Sequence, residues 1–348
     1  MENSSFGENL TQNRETYLLT ELVKLLKCRK VDYHLRFNNK KGVSGVIFCD
    51  SEIYPIKYSI PILIYGEDRT RFRKPRAAYE SMGFAPWKAN RSDWIKHMRI
   101  QHIKGLKIVS EKIRKMNNPR ILVLGCGWGW EIWTLRKIVN RSETLIVGLD
   151  LTRKPLIVGK MLSEKFDASN VVFAVGLSDR LPFKRETFDV VIAIFGPLDH
   201  TERYEFAFRD IGRVLKNNGY FFFTVLNRFS LDWIFRNLKS PKLYIRTLKK
   251  AKDRFVRVTL PSKKRAYRLK THYYDCFEVK RLLSKSNMRI LKSWSIFSIL
   301  SANFRDRRFT LLDRLRSKVE MLISDKPFVR CLGRYIAVVA RKYVKNKN

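Results

Sequence analysis

Ile121-Leu122-Val123-Leu124-Gly125-Cys126-Gly127-Trp128-Gly129 is an apolar run of strand length that breaks into glycines at alternate positions. Four consecutive apolar side chains without polar alternation describe a strand buried on both faces. Glycines in the turn let a ligand approach the backbone, and the helix that follows presents unpaired N–H groups at its first turn. A plain strand-to-helix turn can have the same spelling, so the neighbouring segments carry the weight.

Twenty-one residues beyond Gly129, the next apolar run ends Val147-Gly148-Leu149-Asp150, placing a carboxylate where ribose hydroxyls could donate to it. Further on stand Gly176-Leu177-Ser178-Asp179-Arg180-Leu181-Pro182-Phe183, Thr187-Phe188-Asp189-Val190-Val191 and Arg213-Val214-Leu215-Lys216-Asn217-Asn218-Gly219-Tyr220. Short apolar runs at 171–175, 188–195 and 220–226 alternate with helical spacing up to 138, at 155–166 and at 204–216. That alternation predicts right-handed βαβ crossovers and a doubly wound α/β sheet covered on both faces. The regularity is lost after Asn227 until a helix at 277–284 and strands at 289–297 and 333–340, which leaves insertions at 228–270 and 298–330. Upstream, 92–116 has the spacing of a long amphipathic helix with Ser92 as N-cap, stopped by Asn117-Asn118-Pro119. Residues 66–91, with Gly66, Pro75, Gly83 and Pro86, read as a linker, and 18–65 as a small helix-plus-hairpin module of its own.

The chain of 348 residues carries 71 Lys and Arg against 32 Asp and Glu, a formal net charge of +39, with 45% apolar and 13% aromatic residues. Such apolar content supports a substantial core and excludes wholesale disorder. Five scattered cysteines, Cys28, Cys49, Cys126, Cys276 and Cys331, do not look like a secreted disulfide framework and point to a reducing cytosol. Met1 to Arg14 lacks the order of a signal peptide, and no apolar run reaches the ~18 residues of a spanning helix. The expected location is therefore cytoplasmic, or peripheral at a membrane. The charge points to a polyanion such as RNA, to an anionic lipid surface, or to a source that favours Lys and Arg.

With these motifs in order, the chain resembles the class I S-adenosylmethionine-dependent methyltransferases over roughly 95–297, with a closing strand near 333–342. The resemblance implies a Rossmann-like sheet in the order 3-2-1-4-5-7-6 with strand 7 antiparallel, a domain over 92–343, and S-adenosyl-L-methionine as cofactor. It also implies that Gly125, Cys126, Gly127 and Gly129 line the methionine and ribose portion of the cofactor. Asp150 would hold the ribose, and Leu151, Asp179 and Phe195 would complete the pocket. Two positions depart from the family pattern: Val123 stands two before the first glycine and Leu177 directly follows Gly176, where acidic residues are common. Asp179 either takes over an adenine contact or is a solvated loop charge. Trp128 and Trp130 either narrow the pocket or pack.

The segment from Leu25-Leu26-Lys27-Cys28 through Gly45-Val46-Ile47-Phe48-Cys49 to Tyr54-Pro55-Ile56-Lys57-Tyr58-Ser59-Ile60-Pro61-Ile62-Leu63 looks like the zinc-ribbon activators of tRNA and protein methyltransferases. Val31 and Glu52 occupy the places of the partner thiolates, so the expectation is a degenerate ribbon without metal, held by apolar residues.

Methyl transfer from a sulfonium is an in-line displacement that needs alignment, exclusion of water and sometimes a base. Asp199 and His200, at the end of the fourth strand, are the candidate catalytic pair; the alternative is that Asp199 caps the next helix while His200 packs on the cofactor. His272, Tyr273 and Tyr274 could reach over the pocket or form lid packing. Between Arg236 and Lys270 stand 14 basic residues and one acidic residue, which fits a contact with an anionic membrane surface or RNA, or a solvated helical insertion. Leu312, Leu315, Val319 and Leu322 form a helical stripe, fit for a membrane surface or for docking on the domain. The expected activity is methyl transfer to a small-molecule, lipid or glycan-precursor acceptor, with an RNA methyltransferase or a non-catalytic binding protein as alternatives.

Overall fold

In the computed structural model of the chain, which describes residues 2–38, 42–66, 68–81, 92–139, 141, 143–231, 255–260, 267–300 and 308–344, the run at 121–124 lies in strand β5 (Arg120–Leu124). Its side chains alternate between two cores, Leu122 and Leu124 on one face, Ile121 and Val123 on the other. β5 is parallel to β6 (Leu145–Asp150) on one side and to β8 (Phe188–Ala193) on the other. Beyond β6 lies β7 (Val171–Val175); beyond β8 follow β9 (Leu215–Leu226), β13 (Tyr335–Lys342) and β12 (Met288–Ile296), with β13 antiparallel to both neighbours. Numbered within this sheet alone, the order is 3-2-1-4-5-7-6. The order reverses between β5 and β8, and in open α/β sheets that reversal opens a crevice at the carboxyl ends of the strands.

Helices α4 (Asp93–Ile113), α5 (Trp130–Val139) and α6 (Arg153–Lys165) cover one face. The other is covered by α1 (Glu2–Leu25), α7 (Tyr204–Val214) and α8 (Cys276–Lys285). Ser92 stands at the N-cap of α4, yet its side chain makes no capping hydrogen bond.

The N-terminal region forms an antiparallel sheet β1-β2-β3-β4 (Val31–Asn38, Gly42–Cys49, Glu52–Lys57 and Ile60–Pro61), two strands more than a hairpin supplies. Leu22, Ile47 and Tyr54 share a core with Leu149 and Phe183, and the Leu63 amide donates to Val175 O at 2.8 Å. This region therefore extends the core of the large sheet beside β7. Glu52 accepts the Gly66 amide at 3.3 Å, and His34 packs edge-on against Phe48.

Three expectations need correction. The cysteines are not all free thiols: Cys28 bonds to Cys49 and Cys276 to Cys331, with Cα separations of 5.3 and 6.0 Å, leaving Cys126 free and buried. The β1–β2 register sets Val31 opposite Cys49 and so carries Cys28 to it, a proximity that spacing along the chain does not reveal. The supposed linker contains α2 (Asp68–Arg71) and α3 (Arg73–Ser81). Pro75 falls in the first turn of α3, where a missing N–H costs no helical bond, and Ala78 is buried. Finally, the apolar stripe of α9 (Leu311–Ile323) does not dock on the domain; Leu312, Leu315, Val319 and Leu322 are exposed. Much of the basic stretch at 236–270 lies outside the described residues; its described parts include an antiparallel pair, β10 (Phe255–Leu260) and β11 (Tyr267–His272), instead of a helix.

Gly105 is the close-approach point between α4 and the sheet: a Cβ there would overlap the Phe222 ring. Gly105→Ala is expected to destabilise the fold by about 1–3 kcal/mol. Gly66→Ala, whose Cβ meets nothing within 4 Å, should not. Denaturant titration of both variants checks the contrast.

Candidate active site

The turn after β5 runs through left-handed conformations at Gly125 (φ +62°), Gly127 (+52°) and Gly129 (+85°). At the end of β6 the Asp150 carboxylate locks this turn: Oδ2 accepts the Gly127 amide at 2.9 Å. Oδ1 accepts the Thr152 amide at 2.8 Å and its hydroxyl at 2.6 Å. Burial raises the Asp150 pKa, and these three donors oppose the rise. A carboxylate has about four acceptor positions, so Oδ2 keeps one for a ligand hydroxyl. A Cβ on Gly127 would meet nothing within 4 Å, which marks an open cradle over the backbone.

That cradle is one wall of a cavity of about 310 Å³. Of the residues expected to bind the cofactor, Gly125, Gly127, Asp150, Leu151 and Phe195 line it. Cys126, Gly129 and Asp179 do not. Cys126 is buried beneath the turn, its thiol near Gly148; Gly129 faces the Trp133 ring; Asp179 is buried within the tight turn closed by the Leu177–Arg180 bridge. Leu177 and Ser178 occupy that part of the wall instead. Trp128 and Trp130 pack outside the cavity: Trp133 Nε1 donates to Trp128 O at 2.9 Å, and the Arg99 guanidinium sits over the Trp130 ring. Phe72, Pro75 and Tyr79, from the stretch read as a linker, form a wall that no motif announced. Their aromatic and proline content was the available signal.

The candidate catalytic pair is separated. His200 lines the cavity with its Cδ2–Nε2 edge toward Gly196, its Nδ1 3.1 Å from Thr271 Oγ1 and its ring edge-on to Tyr79. Burial lowers its pKa to about 4, so the imidazole is neutral at physiological pH. Asp199 is not in the wall and does not cap α7: its Oδ1 accepts the Leu226 amide at 2.9 Å, and Arg203 is the N-cap residue. Burial raises the Asp199 pKa to about 7. His272 and Tyr274 are packing residues. His272 stacks on Tyr204 and lies 3.2 Å from Glu278, while the Tyr274 hydroxyl donates to Leu198 O. Phe195 adopts φ +65°, costly for an aromatic residue, and is held there by its backbone N–H, which donates to Thr224 Oγ1 at 3.2 Å, and by a T-shaped contact with the His102 ring.

Beneath the glycine turn, buried Glu131 has its pKa raised to about 8 by burial, with Arg99 opposing. A carboxyl raised in the fold contributes stability that is full below its ordinary pKa and lost as pH rises through the folded value. Asp199 acts in the same sense. His102 and His200, lowered to about 3 and 4 by burial, act oppositely and lose their contribution as pH falls below about 6.5. Thermal stability is expected to decline from neutral pH toward pH 8 and above, and Glu131→Gln should flatten that limb. Melting curves across pH for both proteins measure it.

Residues 121–219 match the model of a methyltransferase domain family. An uncharacterized protein of Methanocaldococcus jannaschii is 30% identical over 254 residues, covering 72% of this chain and 85% of that protein. The ubiquinone biosynthesis O-methyltransferase of Pelagibacter ubique is 28% identical over 142 residues, 40% of this chain and 56% of that enzyme. An S-adenosylmethionine-dependent methyltransferase structure from Mesorhizobium loti aligns with TM-score 0.41 at 15% identity, over 65% of this chain and 92% of that one. From its motifs, its sheet and its relatives, the chain belongs to the class I S-adenosylmethionine-dependent methyltransferases and uses S-adenosylmethionine as its cofactor.

Proposed function

We propose that the cavity receives S-adenosylmethionine along Gly125 and Gly127, with Asp150 Oδ2 accepting a ribose hydroxyl, and that the acceptor is a small, largely apolar molecule methylated at a hydroxyl. Lipids and quinone-like rings fall in this class. One observation carries the reading: among the described residues, the cavity wall contains no Lys or Arg, and its polar group beside Gly196 is a neutral imidazole. A wall of Phe72, Pro75, Leu149, Leu151, Leu177 and Phe195 favours an uncharged apolar body over a phosphate. The name of the Pelagibacter ubique relative, an O-methyltransferase of ubiquinone biosynthesis, supports the same class.

S-adenosylmethionine supplies an electrophilic methyl group on a sulfonium. This chain's residues align the partners and take the proton. Tyr79 and Phe72 give the cavity wall aromatic surface that disfavours water, and His200 Nε2 accepts the acceptor's hydroxyl proton while Thr271 holds Nδ1. Asp199, bonded to Leu226, positions the loop that carries His200.

Calorimetric titration with S-adenosylmethionine and S-adenosylhomocysteine tests the cofactor site. Asp150→Ala is expected to weaken binding by about tenfold or more through loss of a charge-assisted hydrogen bond. Gly127→Asn keeps the left-handed turn, fills the cradle and should also weaken it. Unchanged affinity in both variants would place the cofactor elsewhere.

The acceptor is tested by transfer of a labelled methyl group in a total cell extract, partitioned into organic, aqueous and RNA fractions. Label in the organic fraction is the expected result, and label confined to RNA sinks the acceptor reading. His200→Ala should lower kcat by about 10²–10⁴-fold while leaving cofactor affinity unchanged.

A further inference from the structure

Helix α9 is built inside out. Its buried side is polar: Glu320 and Ser324 are fully buried, and Ser317 Oγ meets His97 Nδ1 at 2.7 Å. Glu320 accepts the amides of Phe297 (2.7 Å), Ser298 (2.9 Å), Ile299 (3.2 Å) and Leu300 (3.1 Å), and its Oε1 lies 2.9 Å from His97 Nε2. The Ser324 carbonyl accepts the Ser295 amide at 2.9 Å. These bonds fix the rotation of the helix about its axis, so the opposite, apolar side must face out. Leu311, Leu312, Leu315 and Leu322 are 85%, 53%, 59% and 75% exposed, and Phe328 just beyond the helix is 88% exposed. At about 100° per residue these leucines and Val319 form one stripe. Lys318 and Arg314 flank it on one side and Arg316 on the other, all three exposed and, among the described residues, without an acidic partner.

The acidic residues of this region are engaged within the protein. Asp313 closes the capping box with Thr310, Asp325 pairs with Lys104 and Lys292, and Glu320 is buried. An apolar stripe bordered by unpaired cations is the pattern of a helix that lies in a bilayer interface, with leucines below the headgroups and basic side chains reaching up to phosphate. A second copy of this chain is the poorer occupant, because two bodies of formal charge +39 repel. Among the described residues no helix is long and apolar enough to cross a membrane.

We propose that α9, with Phe328, docks the protein on the surface of an anionic lipid bilayer. The inference stands on α9 alone and is independent of the acceptor reading above. It is tested on the full chain, without cofactor or acceptor, by flotation with phosphatidylcholine vesicles with and without phosphatidylglycerol. Binding is expected on the anionic vesicles, weaker on phosphatidylcholine alone and reduced by added salt. The double variant Leu315→Glu and Leu322→Glu should lose about tenfold or more of that binding, with melting temperature and S-adenosylmethionine affinity unchanged because both positions face solvent. No binding to anionic vesicles, or equal binding by the double variant, overturns the proposal. So does a dimer in sedimentation equilibrium that the double variant dissociates while vesicles bind neither protein.

Discussion

The hydrogen bond from the Gly127 amide to Asp150 Oδ2 joins the turn after the first parallel strand to the end of the second. Everything about the candidate site depends on it. The turn runs through left-handed glycines that have no side chains to hold it, and its order comes from this carboxylate and from the Cys126 amide bonded to Leu149 O. Thr152 holds the other carboxylate oxygen with two donors, so Asp150 is oriented before any ligand arrives. Pre-orientation of this kind lowers the ordering cost of binding.

The opposite wall is positioned by different means. Phe195 and Gly196 leave β8 in left-handed conformations and bring Pro197 against Gly125, so close that a Cβ on Gly125 would lie 2.7 Å from the proline ring. Thr201 donates its hydroxyl to the Pro197 carbonyl at 2.7 Å and accepts the Ser178 hydroxyl at 2.8 Å, tying the loops after β7 and β8 together. The remaining wall comes from outside the sheet, where Phe72, between α2 and α3, and Tyr79 of α3 line the cavity. The stretch between the N-terminal sheet and α4 thus completes the cavity that the parallel sheet begins.

Glu320 plays the corresponding part for α9. A buried carboxylate is costly unless its acceptor sites are filled, and four consecutive backbone amides with His97 fill them here. The same contacts decide which side of α9 meets the protein. Hydrophobic patterning would turn the leucines inward; the demand of the buried carboxylate turns them outward.

The local elements were legible in the sequence because their signals are local. The apolar run at 121–124, the glycines after it and the 3.6-residue spacing of α4 depend only on residues a few positions apart. The ordered motifs carried the family and the places of Gly125, Gly127 and Asp150. The tertiary structure decided what depends on distant residues meeting. It paired Cys28 with Cys49 and Cys276 with Cys331, brought Tyr79 to His200, and drew Asp199 away to Leu226. It also moved Cys126, Gly129 and Asp179 out of the cavity wall and turned the α9 stripe outward. A spacing along the chain specifies which residues share a face of one helix or strand, but which face is buried is settled by the best joint packing and hydrogen bonding of the whole core.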